Sequence, residues 1–329
     1  MINDIVSYSP DIIHLHNIHG YYLNMPMLFN FLRLYNRPIV WTLHDCWAFT
    51  GHCPHFTKVS CNKWQTGCSK CPQKKDYPTS WFFDNSKKNW NDKKLLTSDL
   101  NLTVVTVSHW LEEVVRKSFL SGNKIFTIHN GIDLNTFFPR KTNIRNKLDL
   151  IDIFIILGLA SDWSESKGIK DFYKLAETLD DRYHFIIIGV ENNKIKKDLN
   201  NFTYIGRISD INLLCEYYSC ANLYFNSSIE ETFGLTTIEA MACGTPAIVY
   251  RSTGLPEVLS DFPELIANPR DVDDVIRIIN VGCITEYAEH SPHYMRDPGS
   301  CKGKDSSTSL FDTLTLSYYP FYFFKIQTV

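Results

Sequence analysis

The 329-residue sequence lacks several features that define large classes of protein. It contains no run of about 18 consecutive apolar residues, so a transmembrane helix is not expected. It shows no signal peptide, and no segment resembles a nucleic-acid-binding module. These absences favour a cytoplasmic protein. The length predicts about two domains of roughly 100–200 residues each.

The two halves of the chain differ in charge. Residues 1–140 contain 15 Lys and Arg against 10 Asp and Glu, whereas the remainder contains 18 against 26. A basic first half suits an anionic membrane surface or a lipid-phosphate substrate, and a solvated surface explains it equally well. Between Lys58 and Lys94, nine Lys are interleaved with aromatic residues, namely Trp64, Trp81, Phe82, Phe83 and Trp90. We interpret this stretch as a surface for a membrane or a lipid acceptor rather than for nucleic acid.

The most informative segment runs from residue 222 to residue 257. A buried strand over 222–226 leads into a polar loop, and a helix begins near Leu235, with Ile238, Met241 and Ala242 as its apolar stripe. Residues 234–236 therefore lie at a helix N-terminus beside the carboxyl end of a strand. Free N–H groups and the positive end of the helix dipole make this place suitable for phosphate. Two carboxylates, Glu231 and Glu239, flank the turn.

The same segment resembles the signature of retaining glycosyltransferases of family 4, in which E-x7-E precedes A-M-A-x-G-x-P. The resemblance implies a GT-B fold, which is α/β with two Rossmann-like, doubly wound parallel-sheet domains facing a cleft. It implies that Glu231 contacts the donor sugar and Glu239 the nucleotide ribose. It also implies that backbone after the Phe-Gly pair holds the diphosphate. The donor-binding residues carried over by the resemblance are Phe233, Gly234, Leu235, Thr236 and Glu239.

Other stretches extend the resemblance over roughly residues 9–280. His44-Asp45 follows a buried strand over 39–43, as the family's H-D does beside the donor sugar, which makes both candidate catalytic residues. Lys167-Gly168 matches a family pair whose Lys contacts the diphosphate, while Leu159 occupies a position where the family often has Arg. The N-G-I-D stretch at 130–133 marks the family's passage between domains. Family members carry further βα units before the P-D-I-I-H strand, so the first domain is expected to be incomplete.

Three histidines, His14, His16 and His19, follow the first predicted strand. Two of them share one face of the strand, which makes a metal site conceivable. We favour polar side chains that line a cleft at the end of a strand, since no carboxylate or Cys lies near them at ligand spacing.

A cysteine-rich insert covers residues 51–75. Its spacing is C-x7-C-x6-C-x2-C, and we call its four cysteines the thiol cluster: Cys53, Cys61, Cys68 and Cys71. One C-x2-C pair with two further cysteines is compatible with a tetrahedral structural zinc ion. Reduced thiols without metal are the alternative, because the first pair lacks the usual short spacing and His52 and His55 are rival ligands.

The predicted organisation is a first, acceptor-side domain over 1–140, a nucleotide-sugar-binding domain over 141–280 and a divergent tail over 281–329. The resemblance implies an enzyme of the hexosyltransferase type. It would move a sugar with retention from a nucleotide-diphosphate sugar to a glycan or lipid-linked acceptor in surface-polysaccharide biosynthesis, as for lipopolysaccharide. No cofactor is expected for catalysis, since no Asp-x-Asp motif suggests a metal at the diphosphate. The protein is expected in the cytoplasm or peripherally on the inner face of the membrane. An inactive fragment that only binds nucleotide sugar, or a scaffold protein of a polysaccharide assembly complex, are the alternatives.

Overall fold

The computed structural model describes residues 1–19, 22–80, 82–190 and 199–280. Trp81 and the tail over 281–329 lie outside the described residues. The strands are β1 Ile13–His16, β2 Ile39–Leu43, β3 Leu102–Thr106, β4 Lys124–Thr127, β5 Phe154–Leu159, β6 Tyr183–Ile188, β7 Phe202–Ile205, β8 Leu223–Asn226, β9 Ala247–Tyr250 and β10 Ile266–Ala267. The helices are α1 Ile2–Tyr8, α2 Met25–Tyr35, α3 Ser86–Thr97, α4 His109–Val115, α5 Ile144–Lys147, α6 Ile169–Thr178, α7 Ile211–Cys220, α8 Leu235–Ala242 and α9 Val272–Asn280.

Two parallel sheets organise the described part of the chain. The first has the order β1-β2-β3-β4, and the second has the order β10-β9-β8-β5-β6-β7. In the second sheet the strands on the two sides of β5 progress in opposite directions along the sheet, so β5 and β8 flank a topological switch point. In open α/β sheets, ligands bind at such a point, beside the carboxyl ends of the strands.

The apolar strand segments explain why both sheets are covered. All four residues of β8 and of β9 are buried, as are the central residues of β5 and β6. Parallel strands buried on both faces need helices on each side, which the alternation of strands and helices supplies. The α/β GT-B architecture predicted from the sequence is confirmed.

Capping residues explain where α2 begins and ends. The side chain of Asn24 accepts a hydrogen bond from the Met27 N–H at 3.0 Å, and Pro26 occupies the first turn of α2. Asn36 then ends α2 in a left-handed conformation with φ of 54°. These are the preferred chemistries of a helix start and a helix stop.

Several sequence-based details are wrong. Residues 2–8 form α1 and residues 86–97 form α3, and neither helix is predicted from the sequence. The buried residues of α8 are Thr237 and Ala240, whereas Ile238 and Met241 are only partly buried. The reason is that α8 packs small side chains against its sheet, where the Thr237 hydroxyl accepts a hydrogen bond from Asn226 at 3.0 Å.

The interpretation of the stretch from Lys58 to Lys94 as one aromatic surface is also wrong in part. Trp64 and Trp90 are buried, and the Trp90 ring N–H donates to the Trp64 carbonyl oxygen at 2.8 Å. Both indoles therefore belong to the core of the cysteine-rich insert and α3. Phe82 and Phe83 are exposed, so the apolar surface of this stretch is small.

Candidate functional site

Two loops meet at the switch point of the second sheet. The loop after β5 carries Lys167, and the loop after β8 carries Glu231, whose carboxylate accepts a hydrogen bond from the Lys167 ammonium. The Ser227 hydroxyl holds the loops together by donating to the Lys167 carbonyl oxygen at 2.6 Å. Gly168 has φ of 78°, and a Cβ there would lie 2.5 Å from the Ser227 carbonyl oxygen. Glycine at this position therefore permits the close approach of the two loops.

The N-terminus of α8 opens beside the same carboxylate. Gly234 immediately precedes the helix with φ of 103°, and a Cβ there would lie 2.7 Å from the Leu255 side chain. In the described residues, no side chain caps this end of α8. Phe233 is buried beneath the turn, and the Thr236 hydroxyl forms a 2.8 Å hydrogen bond with Tyr224. The geometry leaves a helix N-terminus available to an anionic ligand.

Glu239 lies one turn inside α8. Its carboxylate accepts a hydrogen bond from the Tyr218 hydroxyl at 2.9 Å. Burial raises the pKa of Glu239, and the bond from Tyr218 opposes that rise. A carboxylate can accept several hydrogen bonds, so hydroxyl groups of a ligand can donate to Glu239 in addition to Tyr218.

A histidine cluster lies at the carboxyl ends of β1 and β2 in the first sheet. The rings of His16 and His44 are hydrogen-bonded at 3.0 Å, and His14 is bonded to Thr42 at 2.8 Å. Burial, followed by the neighbouring His16, lowers the pKa of His44, while Asp45 opposes the shift. Burial, followed by the neighbouring His16 and His44, lowers the pKa of His14. The His14 and His44 rings are therefore neutral at pH 7. Each ring donates a hydrogen bond at one nitrogen and accepts one at the other, and the tautomer decides which nitrogen does which.

Asp45 is held within its own loop. One carboxylate oxygen accepts the Trp47 N–H at 2.8 Å, and the other lies 2.8 Å from the His19 ring. Below the loop, Lys93 is buried with its ammonium 3.3 Å from the centre of the Trp47 ring. Burial lowers the pKa of Lys93 to about 7, and Asp45 opposes this. These contacts of Asp45 hold the loop that carries His44, and its catalytic role stays a prediction.

The two sheets are joined by polar contacts across the cleft. The Thr232 hydroxyl donates to the His44 carbonyl oxygen at 2.7 Å, so the loops carrying Glu231 and His44 are adjacent. In a second contact between the two halves, the Glu257 carboxylate accepts the backbone N–H groups of His109 and Trp110 at 2.8 and 2.7 Å. Glu257 also lies 3.1 Å from the His129 ring. Burial raises the pKa of Glu257, but the bonds from His129, Trp110 and His109 together lower it below its ordinary value.

Potential metal ligands gather at two places in the described ranges. At the first, the ligand atoms of His109, His129 and Glu257 lie within 4.8 Å of one another, and no other set of three or more His, Cys, Asp or Glu among the described residues is that close. Because Glu257 already accepts two backbone N–H groups, this group is explained as a contact between the two sheets. The thiol cluster lines one cavity together with His52 and Gln73. The Cys53 thiol lowers the pKa of Cys71 to about 7 through a side-chain hydrogen bond.

Comparison with known proteins agrees with this architecture. Residues 2–136 match the model of Glycosyltransferase Family 4, and residues 140–281 match the model of Glycosyl transferases group 1. The chain belongs to these glycosyltransferases. The two matches together cover both sheets.

Two relatives and one solved structure illustrate what this glycosyltransferase is similar to. It is 42% identical over 75 residues to the putative colanic acid biosynthesis glycosyl transferase WcaC of Escherichia coli K12, covering 21% of this chain and 18% of that protein. It is 29% identical over 184 residues to N,N'-diacetylbacillosaminyl-diphospho-undecaprenol alpha-1,3-N-acetylgalactosaminyltransferase of Campylobacter jejuni, covering 51% of this chain and 48% of that protein. The chain thus spans less than half the length of either relative. The structure of Anabaena Alr3699/HepE in complex with UDP is similar in fold, with a TM-score of 0.60 and 16% identity, covering 88% of this chain and 76% of that one.

The structure of the glycosyltransferase brings most of the predicted site residues to one cleft. Lys167, Glu231 and Glu239 surround the α8 turn, and His44 faces them from the first sheet. Three residues near the cleft were not singled out from the sequence: Tyr218, His129 and Lys93, the last of which is buried below the His44 loop. The Trp110 N–H that Glu257 accepts is 147 residues away in the chain, so local sequence carries no signal of this contact.

Contrary to the prediction, the sequence does contain an Asp-x-Asp triplet. The triplet Asp271-Val272-Asp273 opens α9. Asp271 accepts the backbone N–H of Asp274 at 3.0 Å, and Asp273 lies 3.7 Å from the Lys174 ammonium. These contacts are those of a helix start rather than of a ligand site.

Among the residues that the structure describes, no helix has the length and apolar character needed to cross a bilayer.

Proposed function

We propose that this chain transfers a sugar, with retention at the anomeric carbon, from a nucleoside-diphosphate sugar to a glycan or lipid-linked acceptor of surface-polysaccharide biosynthesis. The observation that carries the proposal is the convergence of Lys167, Glu231 and the α8 N-terminus at the switch point, with His44 opposite. Relatives support the donor and acceptor classes. HepE was solved with UDP, and the Campylobacter relative is named for a diphospho-undecaprenol acceptor.

The diphosphate is assigned to the N-terminus of α8 and to Lys167. Helix N–H groups and an ammonium bind phosphate oxygens in the ground state. They bind more strongly as the diphosphate departs, because its charge then increases. The Lys167 ammonium is paired with Glu231 in the structure. We therefore expect donor binding to separate the two side chains, so that Lys167 contacts the phosphate and Glu231 contacts the sugar.

The sugar and the ribose are assigned to the two carboxylates. Glu231 and the neutral His44 ring lie on opposite walls of the cleft beside the Thr232–His44 contact, where a sugar bound to the diphosphate would project. Glu239, whose pKa is raised by burial, gains hydrogen-bond donors when ribose hydroxyls reach it. No metal ion is assigned to this step.

A panel of nucleoside-diphosphate sugars, incubated with the chain and a lipid extract as acceptor source, tests the proposal. We expect release of nucleoside diphosphate and a product whose anomeric configuration matches that of the donor, measured by NMR. Product of the opposite configuration would contradict retention. Binding without turnover would instead favour an inactive nucleotide-sugar-binding fragment, and absence of binding a scaffold of an assembly complex. Peripheral membrane contact and a cytoplasmic location are further parts of the proposal, tested by sedimentation with anionic vesicles and by cell fractionation.

A further inference from the structure

The thiol cluster forms a centre of its own beneath the loop of His44 and Asp45. All eight cysteines of the described residues are free of disulfide bonds, and four of them line one cavity. The four lie between residues 53 and 71 of the insert, and the fold brings them to the same cavity. Trp64 and Pro72 also line this cavity.

Two polar groups at this centre are not explained by the thiols alone. The Nε2 atom of His52, which lines the cavity, is buried and has no hydrogen-bond partner among the described residues. Lys93 is only 4% exposed, and its ammonium donates to the carbonyl oxygens of Trp47 and Thr50 at 2.6 and 2.9 Å. Neutral carbonyls do not balance a buried positive charge, and such a charge is costly unless a negative group lies near it. Asp45 supplies part of that charge.

We propose that the thiol cluster binds one structural zinc ion, and that Lys93 is the buried countercharge of the resulting zinc–thiolate centre. Zinc in structural sites is held by four thiolates in a tetrahedron, and binding releases the thiol protons. Four thiolates and one Zn²⁺ carry a net charge of about −2. The Lys93 ammonium donates to the Thr50 carbonyl oxygen, and the next residue, Gly51, donates its N–H to the Cys68 sulfur, so this buried cation would lie next to the negative centre.

Local geometry prepares the thiols for this role. The Gly51 N–H donates to the Cys68 sulfur at 3.2 Å, and a Cβ at Gly51 would lie 2.7 Å from the Cys68 Cβ. The Cys71 N–H is fixed by the Asp84 carboxylate at 2.8 Å. These contacts orient two of the cysteines from the second coordination shell. Among the described residues, no three of these sulfurs lie within 4.8 Å of one another, so they would have to move closer together to hold a zinc ion.

The proposed zinc centre lies where it would stabilise the loop that carries His44. Lys93 contacts the Trp47 carbonyl oxygen, and the Trp47 N–H is bonded to Asp45, so the centre supports the loop that presents His44. The insert also reaches the second sheet. The Lys58 N–H donates to the Glu230 carboxylate at 2.7 Å, one residue before Glu231. A zinc ion in the insert would therefore stabilise both the first sheet and its contact with the donor side.

Zinc content tests the proposal without reference to transfer activity. The chain is purified without chelator, and its zinc is measured by elemental analysis. We expect about one zinc per chain, the loss of most of it in Cys68→Ser, and no loss in Cys215→Ser, a matched change at a buried cysteine of α7. Replacement by Co²⁺ should give the absorption of tetrahedral thiolate coordination. Protein with no stoichiometric zinc, or with a Cys53–Cys71 disulfide found by mass spectrometry, would overturn the proposal.

Lys93 is tested by the rate at which a chelator removes zinc. We expect faster removal from Lys93→Met than from the unchanged protein, and no change in Lys94→Met, whose side chain is exposed on the same helix. If Lys93→Met fails to fold, Lys93→Arg keeps the charge, and it should bind zinc with unchanged stoichiometry. Equal removal rates for Lys93→Met and Lys94→Met would show that Lys93 is not the countercharge.

Discussion

The two walls of the cleft are built in different ways. On the donor side, the second sheet places a helix N-terminus, two glycines and three charged side chains at a switch point, and backbone geometry determines most of the site. On the opposite side, the first sheet presents a histidine cluster whose loop rests on buried side chains, including Lys93 and the thiol cluster. The donor side thus depends on local chain conformation, and the opposite side depends on contacts between distant segments.

This difference has consequences for mutation. A site made from a turn and a helix end fails when a single side chain or glycine is changed, and the defect stays local. A site that rests on a buried polar centre fails when the centre is disturbed, and stability is lost with it. Substitutions on the donor side should therefore separate binding from turnover. Substitutions in the insert should change stability as well.

The largest effect is expected at Glu231. We expect Glu231→Gln to lower turnover by about 10²–10³-fold, the loss typical of removing one group that stabilises transition-state charge. The dissociation constant of the nucleoside diphosphate should change little, because the proposed partner of Glu231 is the sugar. Steady-state kinetics and calorimetry measure the two quantities.

Glu239 is the matched comparison for Glu231. We expect Glu239→Gln to weaken nucleoside diphosphate binding by about 1.5–3 kcal/mol, the range for a hydrogen bond to a charged group, with a smaller effect on turnover at saturating donor. The Gln side chain can still accept the Tyr218 hydroxyl, so the helix should remain folded. Equal effects of the two substitutions on binding and turnover would contradict the assigned roles.

An intermediate effect is expected at Lys167. We expect Lys167→Ala to weaken binding of the nucleoside diphosphate by about 1.5–3 kcal/mol in calorimetry. Lys170→Ala is the control, because that ammonium is exposed and lies 3.7 Å from the Glu165 carboxylate. Since Lys167 also pairs with Glu231, the double variant with Glu231→Gln separates the phosphate contact from the pair. Unchanged affinity in Lys167→Ala would remove Lys167 from the donor site.

The donor side was the more predictable wall because its signals are local. The spacing of Glu231, Gly234 and Glu239 describes a loop, a turn and one helical turn, and the sequence places them correctly without knowledge of the rest of the fold. The strands over 39–43 and 222–226 were predicted to within one residue for the same reason, since both are short apolar runs in a sheet covered on two faces. The error in the apolar stripe of α8 arose because Thr237 is satisfied by Asn226, a contact that hydropathy cannot show.

The opposite wall was less predictable because its contacts are distant in the chain. His16 meets His44 across 28 residues, Lys93 meets Trp47 across 46, and Glu257 meets Trp110 across 147. Composition suggested that Trp64 and Trp90 were surface residues, although their mutual packing makes them core. Sequence patterns identify an isolated strand or turn, but they do not pair residues across a parallel sheet or between two sheets.

The smallest effect is expected at Glu257, which joins the two walls. Its carboxylate accepts the first N–H groups of α4, where a negative charge is favoured by the helix dipole. We expect Glu257→Gln to lower the free energy of unfolding by about 0.5–2 kcal/mol, the cost of losing a helix cap. The exposed Glu113 on the same helix supplies the control, Glu113→Gln, which should have little effect.

The pH dependence of this effect identifies the carboxylate as its cause. The contacts of Glu257 lower its folded pKa below the ordinary value of 4.5, so the unfolded chain binds the proton first as the pH falls. The stabilisation by Glu257 is therefore fully present above pH 4.5 and is lost as the pH falls through the folded pKa. Denaturant unfolding of the unchanged protein and of Glu257→Gln should show a constant difference from pH 7 to about 5, which narrows below the ordinary glutamate value. A difference that persists unchanged at lower pH would mean that shape rather than charge holds the two walls together at this contact.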